Sequence, residues 1–222
     1  MNTRRLALIT VLLFTTASPA LAAATPEGAA KIAGALQSYF GSAPGVVTVS
    51  PDGDSYGLKL DFNPLFALAN PAEFSGSMSA LEMTVTDQGG GKWKVDQDQA
   101  IEFSFKGGGV ADISGKLSSY KGTGVFDEAL GYFESSSGSV TGLTYNQVIT
   151  PPGEGTQGVA YTVDSITYSS AMALAGNDGA DGASHYAATN IVEKISMPAN
   201  PASGIPPIDL AITIASVTQD GT

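Results

Sequence analysis

Leu81-Glu82-Met83-Thr84-Val85-Thr86 alternates apolar and polar residues at every step. A period of two puts Leu81, Met83 and Val85 on one face of a strand and Glu82, Thr84 and Thr86 on the other. Working outward, Tyr56, Leu58, Leu60 and Phe62 alternate before it, after a Pro51-Asp52-Gly53-Asp54 turn that follows Val47 and Val49. Beyond it come Gly89-Gly90-Gly91, then Trp93 and Val95, then Ile101, Phe103 and Phe105, then Gly107-Gly108-Gly109. Glycine-rich connectors this short join antiparallel neighbours and leave no room for crossover helices. Further strands are expected over Val140 to Ile149, Val159 to Ala173, His185 to Met197 and Ile208 to Val217. The fold class is mainly β: an antiparallel meander forming a curved sheet, a barrel or a sandwich. The expected core face is Leu58, Leu60, Phe62, Leu81, Met83, Val85, Ile101, Phe103 and Phe105, with Glu82, Thr84 and Glu102 in water.

Two stretches depart from this period. Thr25 is a good N-cap, Pro26 fits the first helical position, and Gly41 is a helix stop, so one helix is expected over about 26–40. Ala29, Ile32, Leu36 and Tyr39/Phe40 form its apolar stripe. Pro64 to Ala72 reads as a short helical turn or a loop. Gly124 to Glu134 breaks the alternation and reads as one helical turn or a broad β-connection.

The N-terminus reads as an address. Arg4 and Arg5, the apolar run Leu6 to Phe14 and the small residues around Leu21 make a signal peptide over 1–22, cleaved after Ala22. The run is too short to span a bilayer, and the remaining chain shows no transmembrane segment. Residues 23–222 read as a single β-rich domain, periplasmic or secreted. The chain stops just after a strand, so a longer parent chain is an expectation.

Composition excludes much chemistry. The chain has 222 residues, no cysteine and one histidine. That excludes disulfides, thiolate nucleophiles and multi-histidine metal sites. Removing Arg4 and Arg5 leaves no arginine and moves the net charge from −11 to −13. Without a basic stripe or an arginine fork, no nucleic-acid partner is expected, and docking to anionic headgroups is disfavoured.

The candidates for chemistry are few. Asp52 and Asp54 sit in a loop that partly matches a calcium pattern, but Tyr56 stands at its fifth position and Asn63 at its twelfth. Asp178 and Asp181 offer carboxylates at a second glycine-rich bend. Both loops read first as plain turns, so no metal and no cofactor is expected. Asp96, Asp98 and Glu102 lie near the single tryptophan, Trp93, as a two-carboxylate site on a glycan would require. His185 is the one residue that could serve a serine hydrolase, and there is no G-x-S-x-G elbow.

Tyr120 to Glu134, followed by Gly138-Ser-Val-Thr-Gly142, resembles secreted alphaproteobacterial proteins of a family of unknown function. So does Gly45 to Phe62 after the short helix. The resemblance implies a β-rich, periplasmic protein and carries no catalytic residue. Together these readings point to a non-enzymatic binder of an apolar small molecule, a lipid or an envelope protein in the concavity of the sheet. The alternative is a secreted glycan or ester hydrolase using the 96–102 carboxylates or His185.

Overall fold

The computed structural model describes residues 23–175, 180–199 and 204–221. The signal segment and Asp178 lie outside the described residues. Within them are two helices, α1 (Pro26–Phe40) and α2 (Asn63–Phe66), and ten strands. The strands are β1 (Val47–Asp52), β2 (Ser55–Leu60), β3 (Phe74–Met78), β4 (Leu81–Gly89), β5 (Lys92–Gly107), β6 (Ala111–Asp127), β7 (Tyr132–Ile149), β8 (Gln157–Leu174), β9 (Ala180–Met197) and β10 (Ile208–Gly221). They form one antiparallel sheet in the order β1-β2-β4-β5-β6-β7-β8-β9-β10, with β3 taking the stretch of β5 that β4 does not reach. The sheet does not close, so of the three architectures the alternation allows, the chain adopts an open sheet.

The helix forms where its signals lie. The Thr25 hydroxyl accepts from Gly28 N–H at 3.0 Å, and Gly41 ends the helix at φ 82°. Thr25 N–H also donates to the Tyr56 hydroxyl at 3.3 Å, which ties the cap to β2. Ala29, Val46, Val47, Tyr56, Leu58, Leu60 and Val85 are buried together, and Ile32 and Leu36 pack against them. Tyr39, expected on the apolar stripe, is instead 85% exposed. In the same last turn it is Phe40 that meets the sheet, edge-on to Phe62 at 5.8 Å.

The parity expected for the sheet holds. Leu58, Leu60, Val85 and Ile101 are buried; Phe62, Leu81, Met83, Phe103 and Phe105 are half-buried; Glu82, Thr84 and Glu102 are exposed.

The break at Gly124 to Glu134 is a hairpin turn with a bulge. The Asp127 carboxylate accepts from Ala129 N–H at 2.8 Å and Leu130 N–H at 3.3 Å, and Gly131 takes φ 67°. Val125 pairs Ser135 while Phe126 pairs Phe133, so Glu134 is the extra residue. The bulge returns Phe133 to the apolar face, edge-on to Phe126 at 5.7 Å.

A second irregularity crosses the long strands. The ladder skips Ser118, Gly142, Asp164, Asn190 and Ala215, which lie side by side on β6 to β10. Gly142 and Asn190 take φ 60° and 51° there, and Asn190 Nδ2 donates to Asp164 Oδ2 at 2.8 Å. In β6, β7 and β8 the inward positions are odd on one side of this crease and even on the other. The same face of the sheet is therefore the more buried one on both sides of the crease.

Candidate functional site

The two faces of the sheet offer different chemistry. On the polar face, register decides whether the candidate catalytic residues meet. Asp96 stands opposite Thr123, and the same row continues through Ser137, Ser169, His185 and Asp220. Asp96 and His185 thus share a row but are four strand spacings apart, about 19 Å. Asp96 and Asp98 line a cleft of about 810 Å³ with Lys59, Glu82, Lys121 and Thr123. Glu102 lines a separate hollow of about 560 Å³ with Lys116.

Each of these carboxylates has a cationic partner. Lys94 lies 2.9 Å from Asp96, Lys121 lies 2.9 Å from Asp98, and Lys116 lies 2.6 Å from Glu102. Partial burial pushes the Asp96 carboxyl up, but the hydrogen bonds from Lys94 and Thr123 outweigh it and hold the group below its ordinary value. A glycosidase acid needs the opposite shift, a carboxyl kept protonated near neutrality. Asp96 is built to stay ionised.

His185 carries a signal that the sequence did not reveal. Its Nδ1 lies 2.7 Å from Asp220 Oδ1, and Ser169 is its neighbour on the other side of the same row. Serine, histidine and aspartate side by side resemble the residue set of acyl transfer. The setting differs, because strand N–H groups here are engaged in the ladder and no cleft among those described includes His185. An oxyanion needs free, convergent donors.

The first pair of calcium candidates sits at a turn. Asp52 closes β1 and Asp54 lies in the two-residue loop before β2, where Gly53 takes φ 61°; both are exposed. Asp181 is exposed on β9. Among the described residues, no three Asp, Glu or His side chains come together as a metal site would require.

The apolar face is built differently. Ile101, Leu117, Leu143, Val163, Ile191 and Ile214 stand opposite one another and make one aliphatic row across six strands. Five strand spacings make it about 24 Å long. A second row, Tyr120, Val140, Ile166, Ala188 and Val217, runs beside it beyond the crease. Tyrosines border the two rows. Tyr120 and Tyr168 join hydroxyls at 2.8 Å, and Tyr161 donates to Glu193 Oε1 at 2.6 Å. Burial, then the bond to Tyr120, pushes the Tyr168 phenol well above its usual value, so its proton stays on.

Little covers this face. α1 lies over the β1 end, and α2 packs Phe66 edge-on to Phe105 at 5.4 Å. Toward the other end Tyr186 is 47% exposed, Leu210 46% and Val217 45%. The hollows lined by Asp96 and by Glu102 open on the polar face, whereas the opening between Met83, Tyr120, Phe133 and Tyr168 on the apolar face holds about 230 Å³. The apolar feature is therefore a surface, not a cavity. No helix among the described residues is long and apolar enough to cross a membrane. Comparison of the chain with protein-family models, with curated proteins and with solved structures finds no match.

Proposed function

We propose that this protein is a non-enzymatic binding protein of the cell envelope that holds an apolar small molecule or lipid against the uncovered face of its sheet. The aliphatic row from Ile101 to Ile214 carries the reading. An apolar sheet face needs a second layer, and α1 supplies one only at the β1 end. Contiguous apolar surface beyond a few hundred Å² marks an interaction site in soluble proteins. With one carboxylate, Glu193, among the apolar rows and no lysine beside it, the face favours a neutral or weakly polar ligand over an anionic headgroup.

The test is a titration with N-phenyl-1-naphthylamine, a neutral probe whose fluorescence rises in an apolar setting. Saturable binding is expected. Ile166→Glu, in the second row, should weaken it at least about tenfold, the effect of roughly 1.4 kcal/mol. Ser169→Glu, on the opposite face of the same strand, should leave it unchanged. Equal affinities in the two variants would reject the apolar face as the site and favour an envelope protein as partner.

We also infer a periplasmic or secreted location from residues 1–22. Expressed in a Gram-negative host, the protein should be recovered from the periplasm with Ala23 as its first residue by N-terminal sequencing. Full-length chain retained in the cytosol would overturn this.

A further inference from the structure

The two edges of the sheet are not alike. β1 is six residues long, contains Pro51 and has α1 packed beside it. β10 is fourteen residues long, and among the described residues nothing pairs with its outer side. Natural edges are blunted by lysine, proline, a bulge or a covering element. The stretch Ile208–Ile214 has none of these: its pairing with β9 is unbroken, and its single charge is Asp209. Ile208, Leu210, Ile212 and Ile214 all point to the apolar face and are all exposed.

We propose that β10 pairs antiparallel with β10 of a second copy, about a two-fold axis at Ala211, so that two sheets join into one. Opposed residues in an antiparallel pair project to the same face. The apolar residues therefore need even-numbered opposites, which requires an axis that passes through a residue. An axis at Ala211 sets Ile208 against Ile214 and Leu210 against Ile212, twice over. It also sets Asp209 against Thr213, not against a second acid. An axis at Leu210 would bring Pro206 and Pro207 into the ladder, where proline cannot donate. An axis at Ile212 would drive the ladder across the crease at Ala215. Ala211 is the centre that satisfies main chain, faces and charge together. The β1 edge is too short and too covered to accept β10, so the pairing closes at two copies and does not propagate as a filament. This inference does not depend on the ligand reading, although the joint would make the apolar faces of the two copies continuous.

The chain has no cysteine, so Ala211→Cys places a single thiol on the axis. Sedimentation of the purified chain should give twice the mass of one copy. Mild oxidation should convert the Ala211→Cys dimer to a covalent one, while Ala183→Cys on β9 should stay unlinked. Ile212→Lys should give monomer with an unchanged far-ultraviolet spectrum. Thr213→Lys should keep the dimer, because the new ammonium faces Asp209 of the second copy. A monomer at every concentration overturns the proposal. So does a dimer that survives Ile212→Lys, or one that Ala211→Cys does not link.

Discussion

Gly138→Ala is expected to destabilise the protein by about 2–4 kcal/mol, a loss of roughly 5–15 °C in melting temperature for a chain of this size. Gly138 faces the apolar side of β7, between Gly122 on β6 and Tyr168 on β8. With no second layer to pack against, the Tyr168 ring lies down across the two glycines, and its hydroxyl meets that of Tyr120. A Cβ on Gly138 would stand 2.4 Å from the Lys121 carbonyl oxygen and 2.7 Å from Tyr168 Cζ. The carbonyl belongs to the adjacent strand of the ladder and cannot yield without breaking pairing. The ring can lift, but only by exposing its underside and stretching the bond to Tyr120. Gly34→Ala, on α1 with nothing within 4 Å, should do the reverse and stabilise by about 0.5–1 kcal/mol. Thermal melts of the two variants check both signs. A Gly138→Ala protein as stable as the parent would mean that Tyr168 does not lie on the glycines.

The same device recurs along the apolar face. A Cβ on Gly115 would stand 2.4 Å from Phe103 Cζ, and one on Gly124 would stand 2.9 Å from the Phe133 ring. Glycines within strands ordinarily weaken them. Here they form shallow seats in which large rings bury area against backbone. Where no helix covers the sheet, such seats shelter an aromatic side chain. The glycines at 115, 122, 124 and 138 are visible in the sequence, but their neighbours are not, because cross-strand partners follow from register.

That distinction governs what could be read in advance. Period two is a local property, so Leu81 to Val85 and Ile101 to Phe105 declared their faces correctly. Thr25, Pro26 and Gly41 are local signals too, and α1 begins and ends at them. The crease was legible in part: Val140 and Leu143 are both apolar yet three apart, an odd step that a single uninterrupted strand cannot accommodate. Phe126 and Phe133 show the same kind of slip, which turns on the bulge at Glu134. Closure is different in kind. Whether a meander becomes a barrel depends on whether its first and last strands meet, and no residue in β1 or β10 records that alone. The candidate site was limited for the same reason. Asp96 and His185 face the same side of the sheet, but the 19 Å between them is set by how many strands intervene. Ser169 and Asp220 became neighbours of His185 only once β8, β9 and β10 were in register.

Val85→Ala and Val217→Ala remove the same atoms and are expected to have very different costs. Val85 is 7% exposed in the cluster under α1, with Tyr56 and Val95 opposite it. Two lost methyl groups at ~0.8 kcal/mol each, and a cavity the helix cannot collapse, put its cost at about 2–3 kcal/mol. Val217 is 45% exposed on β10, opposite Ala188. Most of its surface already meets water, so truncation should cost less than about 0.5 kcal/mol. Denaturant titration of the two variants measures the difference directly. The contrast decides why the chain carries apolar residues on strands with no layer above them. If Val217→Ala cost as much as Val85→Ala, the β10 end would be sealed in the free protein, and its apolar rows would be ordinary core. If the cost is small, β10 keeps Ile214 and Val217 exposed on the apolar face for a reason other than folding stability, since exposed aliphatic side chains contribute little to it and favour aggregation. A ligand held against this face, or a second copy paired along β10, would be that reason.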